Sequence, residues 1–259
     1  MDLQIGGLRV LVTAGAAGIG LEIVRAFLRE GARVHVCDVD EAALAALRKS
    51  HPEVTASTTD VADRAAVARL FDDALAGLGG LDCLVNNAGI AGPTGRVEEI
   101  SPEDWDRTLA VDITGQFNCA RLAVPHLKRS QNPSMFNLAS AAGKFGFPLR
   151  SPYAAAKWGV VGFTKSLAME LGEFGIRVNA ILPGIVEGDR IRRVFEAKAK
   201  ERGVTPDEQL RLALGQASIK ETVKPQQLAD MIVFLASPLA RTVSGQAVSV
   251  DGDLQSLVG

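Results

Sequence analysis

Short aliphatic and β-branched runs alternate along this chain with longer stretches in which apolar positions recur every three or four residues. LRVLVTA (Leu8–Ala14) reads as a buried strand. GLEIVRAFLREG reads as an amphipathic helix, with Ile23, Val24, Phe27 and Leu28 on the inner face and Gly31 at its end. The alternation continues: ARVHVCD is a strand, EAALAALRKS a helix, EVTASTTD a weaker strand and RAAVARLFDDALAGLG a helix. LDCLVNNAG, SMFNLAS, IRVNAILPG and QAVSVDG are four further strands. Between them, SPEDWDRTLAVDITGQFNCARLAVPHLKRS predicts one long helix, with Ser101 as N-cap, Pro102 at the first helical position and acids in the first turn. PYAAAKWGVVGFTKSLAMELGEFG predicts another, and PQQLADMIVFLAS a third. The stretch 185–224 is polar, charged and helical, and Thr205-Pro206-Asp207-Glu208 divides it in two. Strands alternating with helices imply parallel pairing through right-handed crossovers. The expected fold is α/β: a doubly wound, mostly parallel seven-stranded sheet with helices on both faces. It forms one domain over 1–259, with 185–224 as a helical lid insertion.

Composition narrows the picture. With 47% hydrophobic residues in 259, the chain has ample material for a large core. A net charge of −2 and a pI near 6.0 argue against nucleic acid or an anionic membrane as partner. Cys37, Cys83 and Cys119 are odd in number and far apart, which suits core thiols in a reducing compartment. His35, His51 and His126 show no metal-ligand spacing, so no metal is expected. The N-terminus lacks a basic, apolar leader, and no apolar run approaches the ~20 residues of a membrane span. A cytoplasmic protein is the expectation.

Candidate chemistry begins after the first strand, at TAGAAGIG (Thr13–Gly20). Gly18 and Gly20 let backbone approach a pyrophosphate, and the helix start at Gly18, Ile19 and Gly20 offers N–H groups and a positive dipole end. A plain tight turn is the alternative; the position between a strand and an amphipathic helix favours a Rossmann-type dinucleotide site. Asp38, at the end of the second strand, suits the two hydroxyls of an adenosine ribose and repels a 2′-phosphate. Ala16 and Ala17 stand where a basic residue would offset that repulsion, so NAD is favoured over NADP. A solvated strand-end acid is the other reading. Asp60, with Val61, ends the third strand, where its carboxylate can meet an adenine amino group.

The only tyrosine, Tyr153, precedes Lys157 by four residues in SPYAAAKWG. Residues so spaced share a helix face. A phenol titrates near 10; a neighbouring ammonium and a cationic nicotinamide stabilise phenolate and make it a usable general acid/base near neutrality. An accidental pair on a surface helix is the alternative, but Ser140, just after the fifth strand in NLASAAG, lies at the same carboxyl edge. Its hydroxyl is suited to hydrogen-bond a substrate oxygen.

The glycine loop, Asp60-Val61, NNAG (Asn86–Gly89), NLASAAG, YAAAK and RVNAILPG appear in an order that resembles the short-chain dehydrogenase/reductase family over essentially the whole chain. The resemblance implies that Tyr153 is the acid/base, that Lys157 binds the nicotinamide ribose and lowers the tyrosine pKa, and that Ser140 orients the substrate. It implies that Asn87, Ala88 and Gly89 pass near the cofactor, that Pro183, Gly184 and Val186 border the nicotinamide, and that the protein is a homotetramer or homodimer acting on a small alcohol or ketone. The long helices carrying Trp105 and Trp158 are the expected subunit contact.

Three positions depart from the family pattern. Ala14 replaces the first glycine of the loop, with Gly15 beside it to absorb the difference. Asp112 replaces a catalytic asparagine that holds a water-mediated proton relay largely through its backbone carbonyl, and brings a charge toward Lys157. Gly188 replaces a threonine that bonds the carboxamide. Substrate choice falls to GKFGFPLRS (Gly143–Ser151), IAGPTGR (Ile90–Arg96) and the insertion 185–224. The insertion carries Arg190, Arg192, Arg193, Lys198, Lys200 and Arg202; a solvated helix face is the simpler reading, a basic lid for an anionic substrate the sharper one. Trp158 is expected in the core, whereas Phe145 and Phe147 suit either core or pocket. The expected activity is NAD(H)-dependent hydride transfer on a secondary alcohol or ketone such as a sugar, polyol or hydroxy acid. Its alternatives are an NADPH-dependent 3-oxoacyl-carrier-protein reductase and a non-catalytic dinucleotide-binding scaffold.

Overall fold

Seven parallel strands form one sheet in the order β3-β2-β1-β4-β5-β6-β7. The computed structural model describes residues 2–257, the side chain of Arg190 excepted. The strands are β1 (Arg9–Thr13), β2 (Arg33–Asp38), β3 (Thr55–Thr58), β4 (Cys83–Asn86), β5 (Ser134–Leu138), β6 (Arg177–Pro183) and β7 (Ala247–Val250). The helices are α1 (Gly18–Arg29), α2 (Glu41–Ser50), α3 (Arg64–Leu78), α4 (Pro102–Leu109), α5 (Gly115–Leu127), α6 (Ser151–Leu171), α7 (Asp189–Arg202), α8 (Pro206–Leu214) and α9 (Pro225–Ala236). The central strands are buried along their whole length, as parallel strands covered on both faces must be.

Each face has its own core. On one, Ile23, Val24 and Phe27 of α1 pack with Leu44 and Leu47 of α2 and Leu228 and Ile232 of α9. On the other, Val67, Leu70 and Phe71 of α3 meet Cys119, Ala123 and Leu127 of α5 and Leu171 of α6. Cys37, Cys83 and Cys119 are all buried free thiols, and burial pushes Cys37 and Cys83 up to about 12. Asp40, Asp63, Ser101 and Thr205 cap α2, α3, α4 and α8 through their side-chain oxygens. At the β2–β3 edge, His35 is buried between Thr55 Oγ1 at 2.8 Å and Ser57 Oγ at 3.1 Å, and burial lowers its pKa to about 4.

Three expectations need correction. The third strand is only Thr55–Thr58, because it lies at the sheet edge and pairs with β2 alone. The long helix opening at Ser101 is interrupted by a π turn at 110–114 between α4 and α5. Trp158 is not a core residue: it is 52% exposed, its indole N–H donating to the Phe145 carbonyl at 3.3 Å. The apolar face of α6 is used by Val160 and Leu171 instead.

The strand order reverses between β1 and β4, so their following loops diverge and leave a crevice. Thr13 laces its two sides together. Its Oγ1 accepts from the amides of Asn87 (3.0 Å) and Ala88 (2.9 Å), while the Asn87 carboxamide N–H group donates to the carbonyls of Thr13 and Ala14. Ala14 itself takes the left-handed conformation, φ +50°, and Gly15 does not relieve it. A left-handed alanine costs roughly 1–2 kcal/mol, more than the extra chain entropy a glycine would lose. Ala14→Gly is therefore expected to stabilise the fold by up to about 1 kcal/mol, read as a higher urea midpoint; a lower midpoint contradicts this account of the loop.

Candidate active site

The loop from β1 turns directly into α1. Gly20 is required there, because a Cβ would stand 2.1 Å from the Ala14 carbonyl oxygen. Gly18 is at φ +54°, with open space where its side chain would be. Unlike α2, α3, α4 and α8, α1 has no side-chain cap among the described residues; its N-cap is Ala17. The first-turn amides of Gly18, Ile19 and Gly20 thus face an uncapped, glycine-lined helix start, which fits the phosphates of a dinucleotide.

Asp38 closes β2 beside this loop. Its Oδ2 accepts from the Ala16 amide at 3.2 Å and its Oδ1 from the Asp40 amide at 3.2 Å. The carboxylate is thereby fixed against the loop. Asp60 is placed differently: its Oδ2 pairs with Arg107 at 2.9 Å and its Oδ1 accepts from Ala62 N at 2.9 Å. Arg107 gave no sign of this in the sequence, since α4 approaches β3 only through the tertiary fold. Val61 packs against Gly115, where a Cβ would come within 2.6 Å of Val61 Cγ2, and its carbonyl accepts from Asn118.

Lys157 and Asp112 meet at the centre of the crevice. Lys157 Nζ lies 3.3 Å from Asp112 Oδ2, and both side chains are almost fully buried. Nζ also donates to the Leu138 carbonyl at 3.1 Å, and Asp112 Oδ1 accepts from Ile90 N at 2.7 Å. Asp112 belongs to the π turn, whose extra residue re-aims side chains relative to a regular helix. Gly89 leaves room for the pair: a Cβ there would sit 3.2 Å from Lys157 Nζ and 3.3 Å from Asp112 Oδ1.

Tyr153, on the first turn of α6, has the Lys157 ammonium 5.4 Å from its ring centroid. Ser140 opens the turn at 141–143, its Oγ accepting from Ala142 N at 3.1 Å. That bond uses a lone pair and leaves the hydroxyl hydrogen to donate elsewhere. The turn packs on α6 so tightly that a Cβ on Gly143 would be 2.8 Å from the Lys157 carbonyl oxygen.

On the far side, Pro183 ends β6, and Gly184 allows contact with Asp251, whose Cβ would be 2.6 Å from a Cβ at that position. Val186 bridges to Val223 in parallel. The bonds of that bridge are made by Ile185 O and Glu187 N, so the N–H and C=O of Val186 itself point the other way. Gly188, at φ +139°, precedes α7. Thr13, whose hydroxyl joins β1 to the β4 loop, is the site residue least visible in sequence: it looked like one more β-branched strand position.

The Asp112–Lys157 pair gives a stability test. Asp112→Leu would leave a buried ammonium without its carboxylate and is expected to cost about 3–5 kcal/mol. Asp112→Asn keeps an oxygen for the Ile90 amide and is expected to cost less. Urea midpoints of the two variants check this; equal losses contradict it.

Residues 14–254 match the family model described as enoyl-(acyl carrier protein) reductase. A 3-oxoacyl-[acyl-carrier-protein] reductase of Thermotoga maritima is 34% identical, over 97% of this chain and 99% of its own. D-beta-hydroxybutyrate dehydrogenase of Cupriavidus necator is 34% identical, over 96% and 98%. The crystal structure of a single-residue variant of actinorhodin polyketide ketoreductase with NADPH superposes with a TM-score of 0.88 at 34% identity, covering 97% of this chain and 98% of that one. The parallel sheet, the glycine-lined crevice and these full-length matches agree: the chain belongs to the short-chain dehydrogenase/reductase family of nicotinamide-dinucleotide-binding oxidoreductases.

Proposed function

We propose that the protein is an NAD(H)-dependent oxidoreductase that interconverts a small secondary alcohol and its ketone, with Tyr153 as the general acid/base. The observation that carries this reading is the buried Lys157 ammonium 5.4 Å from the Tyr153 ring, at the mouth where Ser140 stands. The nicotinamide supplies or accepts the hydride. Lys157, held by Asp112 and the Leu138 carbonyl, keeps a positive charge beside the phenol and favours phenolate. In the oxidative direction the Tyr153 oxygen takes the proton from the substrate hydroxyl; in the reductive direction it returns the proton to the developing alkoxide. The Ser140 hydroxyl donates to that same oxygen and fixes its position. Asp112 positions Lys157 through its side chain, beyond the backbone relay the family resemblance implies.

The crevice supports the following reading of the cofactor residues. Ala14, Gly18, Ile19 and Gly20 cradle the pyrophosphate, Asn87, Ala88 and Gly89 line the cofactor's path, and Pro183, Gly184 and Val186 border the nicotinamide, with the Val186 backbone turned toward the carboxamide. Asp60 and Val61 flank the adenine, Asp60 being shared with Arg107. NAD is preferred because the Asp38 carboxylate, anchored to the Ala16 amide, would face a 2′-phosphate. The alternative, an NADPH-dependent 3-oxoacyl-carrier-protein reductase, is favoured by the likeness to the Thermotoga protein and to a ketoreductase solved with NADPH; the anchored Asp38 supports the NAD reading. The segment 185–224 acts as a lid over the site. No helix among the described residues is long and apolar enough to cross a membrane, and we place the protein in the cytoplasm. Subunits of a homotetramer or homodimer pack through α4, α5 and α6, which expose Trp105, Phe117, Trp158 and Met169.

Two measurements test this reading. Titration with NADH and with NADPH, followed by nicotinamide fluorescence, is expected to favour NADH, and Asp38→Asn to narrow the preference by roughly tenfold or more, about 1.4 kcal/mol. A wild-type preference for NADPH overturns the assignment. Tyr153→Phe is expected to cut turnover by at least ~100-fold, the lower range of acid/base catalysis, while NADH still binds; undiminished turnover refutes the mechanism.

A further inference from the structure

Ser140 stands at the head of a short turn rather than on a strand or long helix. A hydroxyl that orients a reacting group must be held to within about 0.5 Å. From one side α6 holds the turn, through the close approach of Gly143 to the Lys157 carbonyl. From the other side it is held by charge. Lys144 immediately follows the turn, and its ammonium lies 2.7 Å from Asp251 Oδ2. The same ammonium donates to Ser249 Oγ at 3.0 Å and stands 5.0 Å from the Phe145 ring centroid.

Asp251 directly follows β7. Its side chain is only 4% exposed, and its Oδ1 accepts from Asp253 N at 3.1 Å. Asp251 is also the residue against which Gly184 packs without a side chain of its own. The Gly184 wall is fixed independently, because Pro183 pairs with Val250 in the sheet and Gly184 N donates to the Val250 carbonyl at 3.0 Å. Asp251 therefore meets the end of β6 through its carbon atoms and the serine turn through its oxygen. Three residues on, Leu254 packs with Ala141 of that turn. Ion pairs at a protein surface contribute little. Here the acid is buried, so removal of the ammonium strands a carboxylate with almost no access to water.

We propose that Lys144 is a positioning residue for hydride transfer: by tying the Ser140 turn to Asp251, it sets the spacing between the Ser140 hydroxyl and the Gly184 wall. The proposal rests on the oxidoreductase reading above and deepens it. On that reading Ser140 holds the carbinol oxygen and Gly184 borders the nicotinamide, so the spacing governs how near the carbinol carbon comes to the ring. Misplacement by about 1 Å costs such a step roughly 100-fold. Lys144 acts through Ser140, and the movable partner is the turn, so cofactor affinity does not depend on it.

The test measures kcat with NAD⁺ on a panel of secondary alcohols spanning sugars, polyols, cyclic alcohols and hydroxy acids, with sorbitol, cyclohexanol and β-hydroxybutyrate among them. NADH affinity is followed by nicotinamide fluorescence. For the alcohol turned over fastest, Lys144→Met is expected to lower kcat by roughly 10–100-fold, with NADH affinity within about twofold of the wild type. Lys144→Arg, which keeps the charge, is expected to retain most of the wild-type kcat. An unchanged kcat in Lys144→Met, an equal loss in Lys144→Arg, or NADH binding weakened as much as kcat overturns the proposal. Lys144→Met combined with Asp251→Asn removes the stranded carboxylate and separates folding from placement. The double variant is expected to fold and still to lose kcat; recovery of kcat refutes the positioning role. Hydrogen exchange supplies a readout free of turnover, at the amides of Gly143, Lys144 and Phe145 that donate to the Ser140 and Ala141 carbonyls. Exchange there is expected to be faster in Lys144→Met and close to wild type in Lys144→Arg; equal exchange in all three proteins overturns the clamp. Faster exchange in Lys144→Met, with no turnover of the panel by the wild type, sinks the oxidoreductase reading and leaves the clamp standing.

Discussion

The reversal of strand order between β1 and β4 is the constraint on which the rest depends. Parallel strands need helical crossovers, and crossovers that lead away in opposite directions leave the two carboxyl ends uncovered. Such an opening exposes backbone polar groups that a sheet cannot pair. Here Thr13 and Asn87 meet that demand by tying the two loops to each other. The crevice is consequently braced where the loops after β1 and β4 diverge. Its opposite wall is carried by α7, whose Phe195 packs with Ile185 and Ala213 in a separate small cluster.

A second consequence is where charge is buried. The Lys157 ammonium is enclosed at the same carboxyl edge, and the protein supplies Asp112 from a π turn to hold it. Desolvating such a pair consumes much of its mutual attraction. It is tolerable here because Ile90 N and the Leu138 carbonyl satisfy further lone pairs and protons. The pair serves the geometry of the site more than it serves overall stability.

Much of this was legible in the sequence, for physical reasons. All seven strands and the major helices follow from apolar periodicity and from caps such as Ser101 and Thr205, which are local signals. Gly20, Asp38, Tyr153 and Lys157 stand out as candidates in the sequence because the signals that mark them are spacings along one strand–loop–helix unit or one helix face. The misreadings are tertiary. Trp158 looked like core material, yet its position on α6 faces outward. The Arg107 partner of Asp60 comes from a distant helix and has no local signal in the sequence. The π turn has no residue code of its own, and Ala14 in a left-handed conformation runs against intrinsic preference. Arg150 and Lys198 stood in segments already marked for substrate choice, but only packing brings them to the same phenylalanine ring.

The buried His35 ties the outer edge of the sheet to acidity. Its ring is neutral in the folded state down to about pH 4, whereas an unfolded histidine takes up its proton near 6.5. Between those values the unfolded chain binds the extra proton, so stability falls as pH drops through this window. The energy at stake is concentrated where Thr55 and Ser57 of β3 hold the imidazole against β2. β3 is the outermost strand on that side, and Asp60 follows it closely. Mild acid therefore bears on the β2–β3 margin of the sheet, whereas the interior strands β4, β5 and β6 carry no histidine.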